Sequence, residues 1–134
     1  MAMVDRSGLP LAIALESASP HESTLLETLL RRSFLKRTDD RPRFLIGDKA
    51  YDSDKLDERL ARKGITLIAP NRSNRRIQTQ DGRHLRRYRR RWKVERFFSW
   101  LFNFRRIVTR YEFHAANFLG FLHFACALIL LRRL

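Results

Sequence analysis

Two short apolar runs with a helical pattern between them constrain the fold of this chain more than any other feature. Residues 43–48 and 65–70 are rich in Ile and Leu, as short buried strands are. Between them, Leu56 and Leu60 form the inner face of a predicted helix, which Gly64 ends. Strands joined by a helix pair in parallel, because a crossover returns the chain in the same direction. The pattern therefore predicts a βαβ unit and an α/β fold.

The N-terminal part has the pattern of a β-hairpin followed by a helix. Residues 1–4 and 11–15 are predicted strands, and Asp5 begins the polar turn between them. Residues 19–22, Ser-Pro-His-Glu, have the spacing of a helix start, and we expect the helix to run to about Lys36. Its inner face carries four leucines: Leu25, Leu26, Leu29 and Leu30.

The second half is predicted to be a basic loop followed by two helices. Residues 71–82 have no apolar period, and a long helix begins at about Arg83 and ends at residues 109–112. Six residues at steps of three and four share one face of that helix: Leu85, Tyr88, Trp92, Glu95, Ser99 and Phe102. We therefore expect this face, with Trp92 and Glu95 on it, to point inward.

The last segment, residues 113–131, is apolar on nearly all sides. Its stretch without formal charge spans residues 118–131, whereas a membrane span needs about twenty residues. A buried helix is the better interpretation, and a membrane anchor is the weaker one. Cys126 is then an inert core residue. As the single cysteine it excludes an internal disulfide, and we expect a protein of the reducing cytoplasm.

The charge is concentrated in the second half of the chain. Residues 1–70 contain 12 basic and 11 acidic residues, whereas residues 71–134 contain 16 basic and 3 acidic ones. Such a cluster repels itself unless a polyanion neutralises it, so nucleic acid is the preferred partner. A solvated basic face without a partner is the alternative.

Two carboxylates are the candidates for chemistry. Asp48 follows a predicted parallel strand, and ligands collect at the carboxyl ends of such strands. It is equally suited to cap the next turn. Glu95 lies on a predicted apolar face, where a charge needs a metal or an ion pair, and Arg91 is one turn earlier. Together the two carboxylates suit metal-assisted cleavage of a phosphodiester by Mg²⁺ or Mn²⁺.

The nearby cations are candidates for DNA contact. Arginine favours bidentate contacts to phosphate. The predicted DNA-contacting residues are Arg72, Arg75, Arg76, Tyr88, Arg91 and Lys93. Four histidines, His21, His84, His114 and His123, have no metal-ligand spacing. Trp92 and Trp100 could stack on bases, but core packing is the preferred interpretation.

Several segments together resemble the catalytic region of bacterial insertion-sequence transposases of the DDE type. They are residues 4–11, 19–22, 47–52, 88–97, 105–106 and 110–112. The most specific parts are Gly-Asp-Lys-Ala-Tyr at 47–51 and the spacing of Tyr88, Arg91 and Glu95. One departure is Phe102, because the family often has a basic residue seven positions after the Glu.

The resemblance implies a ribonuclease H-like mixed sheet flanked by helices, with a helical C-terminal part. It implies Mg²⁺-dependent cleavage and strand transfer of transposon DNA ends, with Asp48 and Glu95 as catalytic metal ligands. The family's first catalytic Asp lies on a strand before the hairpin, so residues 1–134 are expected to be a single, incomplete catalytic domain. We assign Asp5 to the hairpin turn instead.

The expected organisation is a partial sheet with two helices at 1–70, the basic loop at 71–82 and two helices at 83–134. We expect such a chain to be a transposase fragment or one of the polypeptides of a split transposase. It would act with a separate N-terminal transposase polypeptide and form homo-oligomers when active. The alternative function is a non-catalytic basic nucleic-acid-binding protein.

Overall fold

The chain begins with the predicted hairpin. A computed structural model describes residues 1–16, 22–33, 42–79 and 82–133. In it, β1 (Ala2–Val4) and β2 (Pro10–Ile13) pair antiparallel, with a register shift between Met3 and Val4. Asp5 lies in the turn, where its Oδ1 accepts hydrogen bonds from the backbone amides of Ser7 (2.7 Å) and Leu9 (2.8 Å).

The predicted βαβ unit is confirmed. β3 (Phe44–Ile46) and β4 (Thr66–Ile68) pair in parallel, and α2 (Asp54–Ala61) connects them. Leu56 and Leu60 are fully buried on the inner face of α2, as their spacing predicts. Because both strands are three residues long, the unit is small and depends on neighbouring helices for burial.

Glycine closes two of these turns in a backbone conformation that other residues rarely adopt. Gly8 has φ +85° in the hairpin turn. Gly64 has φ +73° after α2, where the amide of Ile65 donates to the carbonyl of Leu60 at 3.0 Å. This bond is the helix-ending pattern of a Schellman motif, so Gly64 ends α2 as the sequence predicts.

The helix between the strand pairs, α1 (Glu22–Arg32), carries the predicted leucine face. Leu26 and Leu29 are buried. The predicted start at Ser19 and the predicted end at Lys36 lie outside the described residues.

The prediction of one continuous helix from Arg83 is wrong. The chain forms α3 (Gly82–Leu85), a 3-10 segment (Arg86–Arg91), α4 (Trp92–Leu101) and, after a turn, α5 (Arg105–Val108). Five of the six residues in the 3-10 segment are arginine. In this segment Arg87 stacks on Phe44 and Arg91 pairs with Glu95, and such tertiary contacts override a uniform α-helical period. The first of the two predicted C-terminal helices is therefore a series of shorter pieces.

The predicted inner face of this region is also wrong. Phe97 and Leu101 are the buried residues of α4, whereas Trp92 is 49% exposed and the Glu95 side chain is 59% exposed. Trp100 is half-buried. α4 has apolar residues on two sides, and packing selects the side that holds Phe97. Glu95 is thus a surface carboxylate.

The final helix, α6 (Ala115–Leu131), is buried on one face and exposed on the other. Its buried residues are Leu122, Ala125, Cys126 and Ile129. Cys126 is a core residue as predicted, and burial raises the pKa of its thiol to about 11. Phe124 and Leu131 are exposed, so the expectation of a helix buried all round is wrong. Among the described residues, no helix has both the length and the apolar character that crossing a membrane requires.

The hairpin lies between two layers of helices. Met3, Ala12 and Ala14 pack against Leu29 of α1 on one face. On the other face, Ile13 packs in a cluster with Phe97 of α4 and the buried residues of α6. α1 also reaches the second strand pair, because Leu26 joins the cluster of Leu56, Leu60, Ile65 and Leu67.

The described strands form two separate two-stranded sheets, ordered β1-β2 and β3-β4. The chain is therefore mixed α/β, but a single mixed sheet is not formed by the described residues. Both strand pairs pack against the helix α1. Among the described residues, no backbone hydrogen bonds join the parallel pair to the antiparallel pair.

Candidate active site

A groove with a volume of about 1030 Å³ lies between the two strand pairs. Its apolar lining comes from consecutive residues of β1 and β3, from Leu25, Leu26 and Leu29 of α1, and from Val94 and Phe98 of α4. Its charged lining residues are Asp5, Arg6, Glu16, Asp48, Arg87, Arg90, Arg91, Lys93 and Glu95. Both candidate carboxylates therefore belong to one concave site.

Asp48 is positioned by the turn that follows β3. It is the N-cap of the 3-10 turn Lys49–Tyr51, and its Oδ1 accepts a hydrogen bond from the backbone amide of Ala50 at 2.9 Å. Glycine precedes it because a Cβ at Gly47 would lie 2.8 Å from a ring carbon of Tyr51. The predicted capping role is thus present, and it uses one of the two carboxylate oxygens.

Arg91 connects the two carboxylates. Its Nη2 lies 2.5 Å from Oε1 of Glu95, and its Nη1 lies 4.0 Å from Oδ2 of Asp48. The hydrogen bond to Glu95 raises the pKa of Arg91, followed by smaller charge effects that include Asp48. Arg91 is therefore the counter-ion of both acids in this structure. The ion pair predicted as the structural alternative for Glu95 is present.

The basic loop after β4 is fastened to the turn that carries Asp48. The backbone amide of Arg72 donates to Oδ2 of Asp52 at 2.7 Å, and the Arg72 side chain donates to the carbonyls of Lys49 (3.2 Å) and Ala50 (2.9 Å). Arg75 donates to Oδ1 of Asp52 at 2.5 Å. These bonds attach Arg72 and Arg75 of the basic loop to residues 49–52, which directly follow Asp48.

Arg75 is also paired with Asp54, and its side chain is only 15% exposed. The hydrogen bond to Asp54 is the largest of the causes that raise the pKa of Arg75. The guanidinium thus already has two acidic partners. Arg76, the next predicted contact, is exposed.

The remaining predicted contacts lie at the other side of the groove. Lys93 donates to the backbone carbonyl of Arg6 in the hairpin turn. The guanidinium of Arg91 lies 5.9 Å from the centre of the Tyr88 ring. Tyr88 therefore contacts the arginine that bridges the two acids, and Lys93 connects α4 to the hairpin turn.

Trp92 and Trp100 both contact one cation, and Trp100 also packs against the core cluster that contains Phe97. The guanidinium of Arg96 lies 4.7 Å from the ring centre of Trp92 and 4.8 Å from that of Trp100. The same side chain donates to the carbonyl of Ser7 at 2.6 Å. The prediction of core packing for Trp92 is wrong, because this cation keeps the ring at the surface.

Three functional-site features were not predicted from the sequence. Asp52 anchors the basic loop although its spacing favours a helix cap, and its partners lie 20 and 23 residues later. Arg87 stacks on Phe44 at 4.0 Å, and Arg90 lines the groove. The density of arginines at 86–91 is a general signal for these contacts, but no local pattern selects Arg87 as the one that meets β3.

The acidic groups of the groove do not form a closed metal cage. Among the described residues, no three His, Cys, Asp or Glu side chains are placed to hold one metal ion. Two carboxylates with retained waters suit Mg²⁺, which is commonly held by one or two protein carboxylates and substrate phosphates. Asp48 and Glu95 fit that description if the Arg91 guanidinium moves away from them or stays paired with them while they bind the metal.

An α/β chain with two carboxylates and a dense arginine surface around one groove has the features of an enzyme that acts on a polyanion. The chain belongs to the family described as the Transposase DDE domain, whose family model matches residues 1–130. DDE transposase domains generally use divalent metal ions.

Two relatives agree with this family. "Putative transposase for insertion sequence element IS402" of Burkholderia cepacia is 33% identical over 132 residues, which cover 95% of this chain and 59% of the relative. "Putative transposase for insertion sequence element IS6501" of Brucella ovis is 36% identical over 133 residues, which cover 98% of this chain and 95% of the relative. No solved structure matches the chain. The family and these names support a role in transposition.

Proposed function

We propose that the groove is a DNA-processing site for Mg²⁺- or Mn²⁺-dependent cleavage and strand transfer of transposon ends. The observation that carries the proposal is the shared position of Asp48 and Glu95, which are 47 residues apart in sequence and contact one arginine. In this proposal the strands and helices form part of a ribonuclease H-like fold.

The two carboxylates would hold the divalent metal ion. Oδ1 of Asp48 is used by the Ala50 amide, and Oδ2 faces the groove at Arg91. Glu95 is exposed enough to reorient toward a ligand. A bound divalent cation would activate the attacking oxygen and stabilise the leaving one. Asp48 and Glu95 supply hard oxygen donors, and the turn fastened by Asp52 fixes the position of Asp48.

The arginines would hold the DNA backbone. Arg76, Tyr88, Arg91 and Lys93 are the proposed direct contacts. Arg91 would move from the carboxylates to a phosphate once a metal neutralises the acids, because its fork of donors suits both groups. Arg72 and Arg75 complete the predicted DNA-binding set, and their bonds to the Asp48 turn add a positioning role.

The proposed partners are the transposon ends, the target DNA, a separate N-terminal transposase product and further copies of the chain in an active oligomer. The proposed location is the cytoplasm. A transposase must reach chromosomal DNA, and a net charge of +14 favours that association.

A Mn²⁺ titration that follows water proton relaxation tests the metal site without requiring catalysis. Asp48→Asn and Glu95→Gln should each weaken Mn²⁺ binding about tenfold or more. Glu58→Gln, on the exposed side of α2, is the matched control and should leave the affinity unchanged. Equal affinity in all four proteins would reject Asp48 and Glu95 as ligands.

A nicking assay on supercoiled DNA separates catalysis from binding. We expect the isolated chain to bind DNA and to cleave it weakly, and we expect the cleavage to require Asp48 and Glu95. The second candidate function is a non-catalytic nucleic-acid-binding protein, which the Arg91 bridge favours because this arginine already pairs with both acids. That function is supported if DNA binds while Mn²⁺ does not.

A further inference from the structure

The hairpin turn is fastened to the helix that carries Glu95. Lys93 donates to the backbone carbonyl of Arg6, and Nη2 of Arg96 donates to the backbone carbonyl of Ser7 at 2.6 Å. These two donors stand on either side of Glu95 in the sequence of α4. Because Arg6 also lines the groove, the bonds set the position of α4 against one wall of the site.

The turn lies directly against the backbone of α4 at Gly8. A Cβ at this position would lie 2.9 Å from Nη2 of Arg96 and 3.5 Å from the backbone oxygen of Lys93. Glycine is therefore needed for the close approach as well as for its positive φ. The guanidinium of Arg96 lies at the point where the turn and the helix meet.

Two aromatic rings of α4 contact the same guanidinium. It lies 4.7 Å from the ring centre of Trp92 and 4.8 Å from that of Trp100, which are one helical turn before it and one after it. Its Nε is buried, with no hydrogen-bond partner in the described part of the chain. A planar guanidinium stacks on aromatic faces and keeps its in-plane donors for an acceptor. The two rings and the Ser7 carbonyl thus fix one orientation of the Arg96 side chain.

The direction of Glu95 depends on how α4 is rotated about its axis. Apolar residues occupy two sides of α4, so apolar spacing alone does not select one rotation. Since an α-helix has about 3.6 residues per turn, Glu95 and Arg96 point about 100° apart and rotate together. Glu95 contacts Arg91, whose Nη1 lies 4.0 Å from Oδ2 of Asp48. A rotation that takes Arg96 off the turn would therefore change the separation of the two carboxylates.

We propose that Arg96 is a positioning residue for Glu95. By joining α4 to the Ser7 carbonyl, it holds the Glu95 carboxylate where it can share a metal ion with Asp48. This role rests on the proposed function, because it requires Glu95 to be a metal ligand. Two other roles for Arg96 make different predictions: a direct contact to a DNA phosphate, and a contribution to the stability of the fold alone.

A double-mutant cycle on Mn²⁺ affinity separates these roles. Arg96→Lys keeps the charge but loses the planar group, and we expect Mn²⁺ to bind about three- to tenfold more weakly. In Glu95→Gln the same substitution should have no further effect, because the residue that Arg96 positions is already lost as a ligand. In Asp48→Asn the loss should persist. A loss of equal size in all three backgrounds would make Arg96 a general contributor to stability, and no loss in the parent chain would also overturn the proposal.

Arg106→Lys is the matched control. Arg106 also stacks on an aromatic ring, at 5.0 Å from the centre of Phe121, but it lies outside the lining of the groove. Mn²⁺ affinity should therefore stay unchanged in this variant. If Arg96→Lys does not fold, Arg96→Gln takes its place, because it keeps an amide donor for the Ser7 carbonyl. Weaker duplex binding by Arg96→Lys with unchanged Mn²⁺ affinity would identify a DNA contact and overturn the positioning role.

A distance measurement tests the placement of α4 without metal. Nitroxide labels on cysteines that replace Glu16, directly after the hairpin, and Ser99, on the exposed side of α4, report the separation of the two elements. Cys126 is buried and the pKa of its thiol is raised to about 11, so it should label poorly. Arg96→Lys should shift or broaden the distance distribution, and Arg106→Lys should not. An unchanged distribution would reject the positioning role even if Mn²⁺ binds.

The positioning role and the proposed function fail in different ways. If Glu95→Gln weakens Mn²⁺ binding and Arg96→Lys does not, only the positioning role is rejected. If Glu95→Gln leaves Mn²⁺ affinity unchanged, the metal site of the proposed function is rejected, and the distance measurement still decides whether Arg96 places α4.

Discussion

Asp5 illustrates how a single carboxylate near a site can have a structural role. It lines the groove, but its Oδ1 accepts two backbone hydrogen bonds that close the hairpin turn. We expect Asp5→Ala to lower the free energy of unfolding by about 1–3 kcal/mol, because two amides lose their acceptor. Mn²⁺ affinity should remain unchanged. Urea unfolding and the relaxation titration measure the two effects. A strong loss of Mn²⁺ affinity with unchanged stability would instead make Asp5 a metal ligand.

Asp57 provides a prediction about pH. Burial, then the charges of Asp52 and Asp54, raise the pKa of Asp57 from 3.8 to about 6. The folded state therefore holds this proton more tightly than the unfolded state. The stability that this proton contributes is complete below about pH 4 and is lost as the pH rises to about 6.

The variant Asp57→Asn removes that dependence on pH. It should have a higher Tm than the parent chain at pH 7, and the difference should nearly vanish at about pH 3, where Asp57 is mostly protonated in both states. Thermal unfolding at the two pH values checks the prediction. A parent chain whose stability relative to Asp57→Asn does not change with pH would contradict the raised pKa.

The residues of the site were predictable to different degrees. The motifs indicate Asp48 and Glu95 as candidate site residues, which the structure places in one groove, and the Glu95–Arg91 pair follows from helical spacing. The Asp52–Arg75 pair joins residues 23 positions apart, so no local pattern could indicate it. The site residues that depend on long-range contacts were therefore the ones that sequence reasoning missed.

At the scale of the element, α4 shows why an apolar period is not enough to choose a buried face. Trp92 and Phe102 favour one side of the helix, and Phe97 and Leu101 favour another. Both sides have helical spacing. The hairpin and α6 meet the side with Phe97, because Ile13 and Ile129 complete that cluster. The choice depends on partners that are distant in sequence.

Two substitutions on α4 distinguish these faces. Phe97→Ala should cost about 3–5 kcal/mol of unfolding free energy, because it leaves a cavity at a fully buried position. Trp92→Ala should cost about 1 kcal/mol, since it mainly loses its contacts with the cations Arg96 and Lys93. Chemical denaturation of both variants measures the difference. Equal costs would mean that Trp92 is as deeply packed as Phe97.

At the scale of the whole molecule, the local units were predictable and their assembly was not. The hairpin and the parallel βαβ unit follow from the apolar runs, the turn residues and the helical crossover that returns the chain in the same direction. Whether the two pairs join into one sheet depends on contacts beyond each pair, which the described residues do not make. The sequence pattern within each pair carries no information on that point, so the mixed sheet expected from the resemblance is replaced by two pairs around a groove.

The charge asymmetry of the whole chain predicts where DNA should bind. Residues 71–96 hold 11 basic and 2 acidic residues, and the 3-10 segment places Arg87, Arg90 and Arg91 along the groove. Arg90→Gln should weaken duplex binding and reduce the slope of log affinity against log salt by about 0.9, the effect of losing one phosphate contact. Arg62→Gln removes the same charge from the exposed end of α2, in the charge-balanced half, and should change the slope little. Fluorescence anisotropy across a salt series compares the two. If the DNA backbone contacts Arg90, the two variants should have different slopes. Equal slopes would mean that DNA binding depends only on the net charge of the chain.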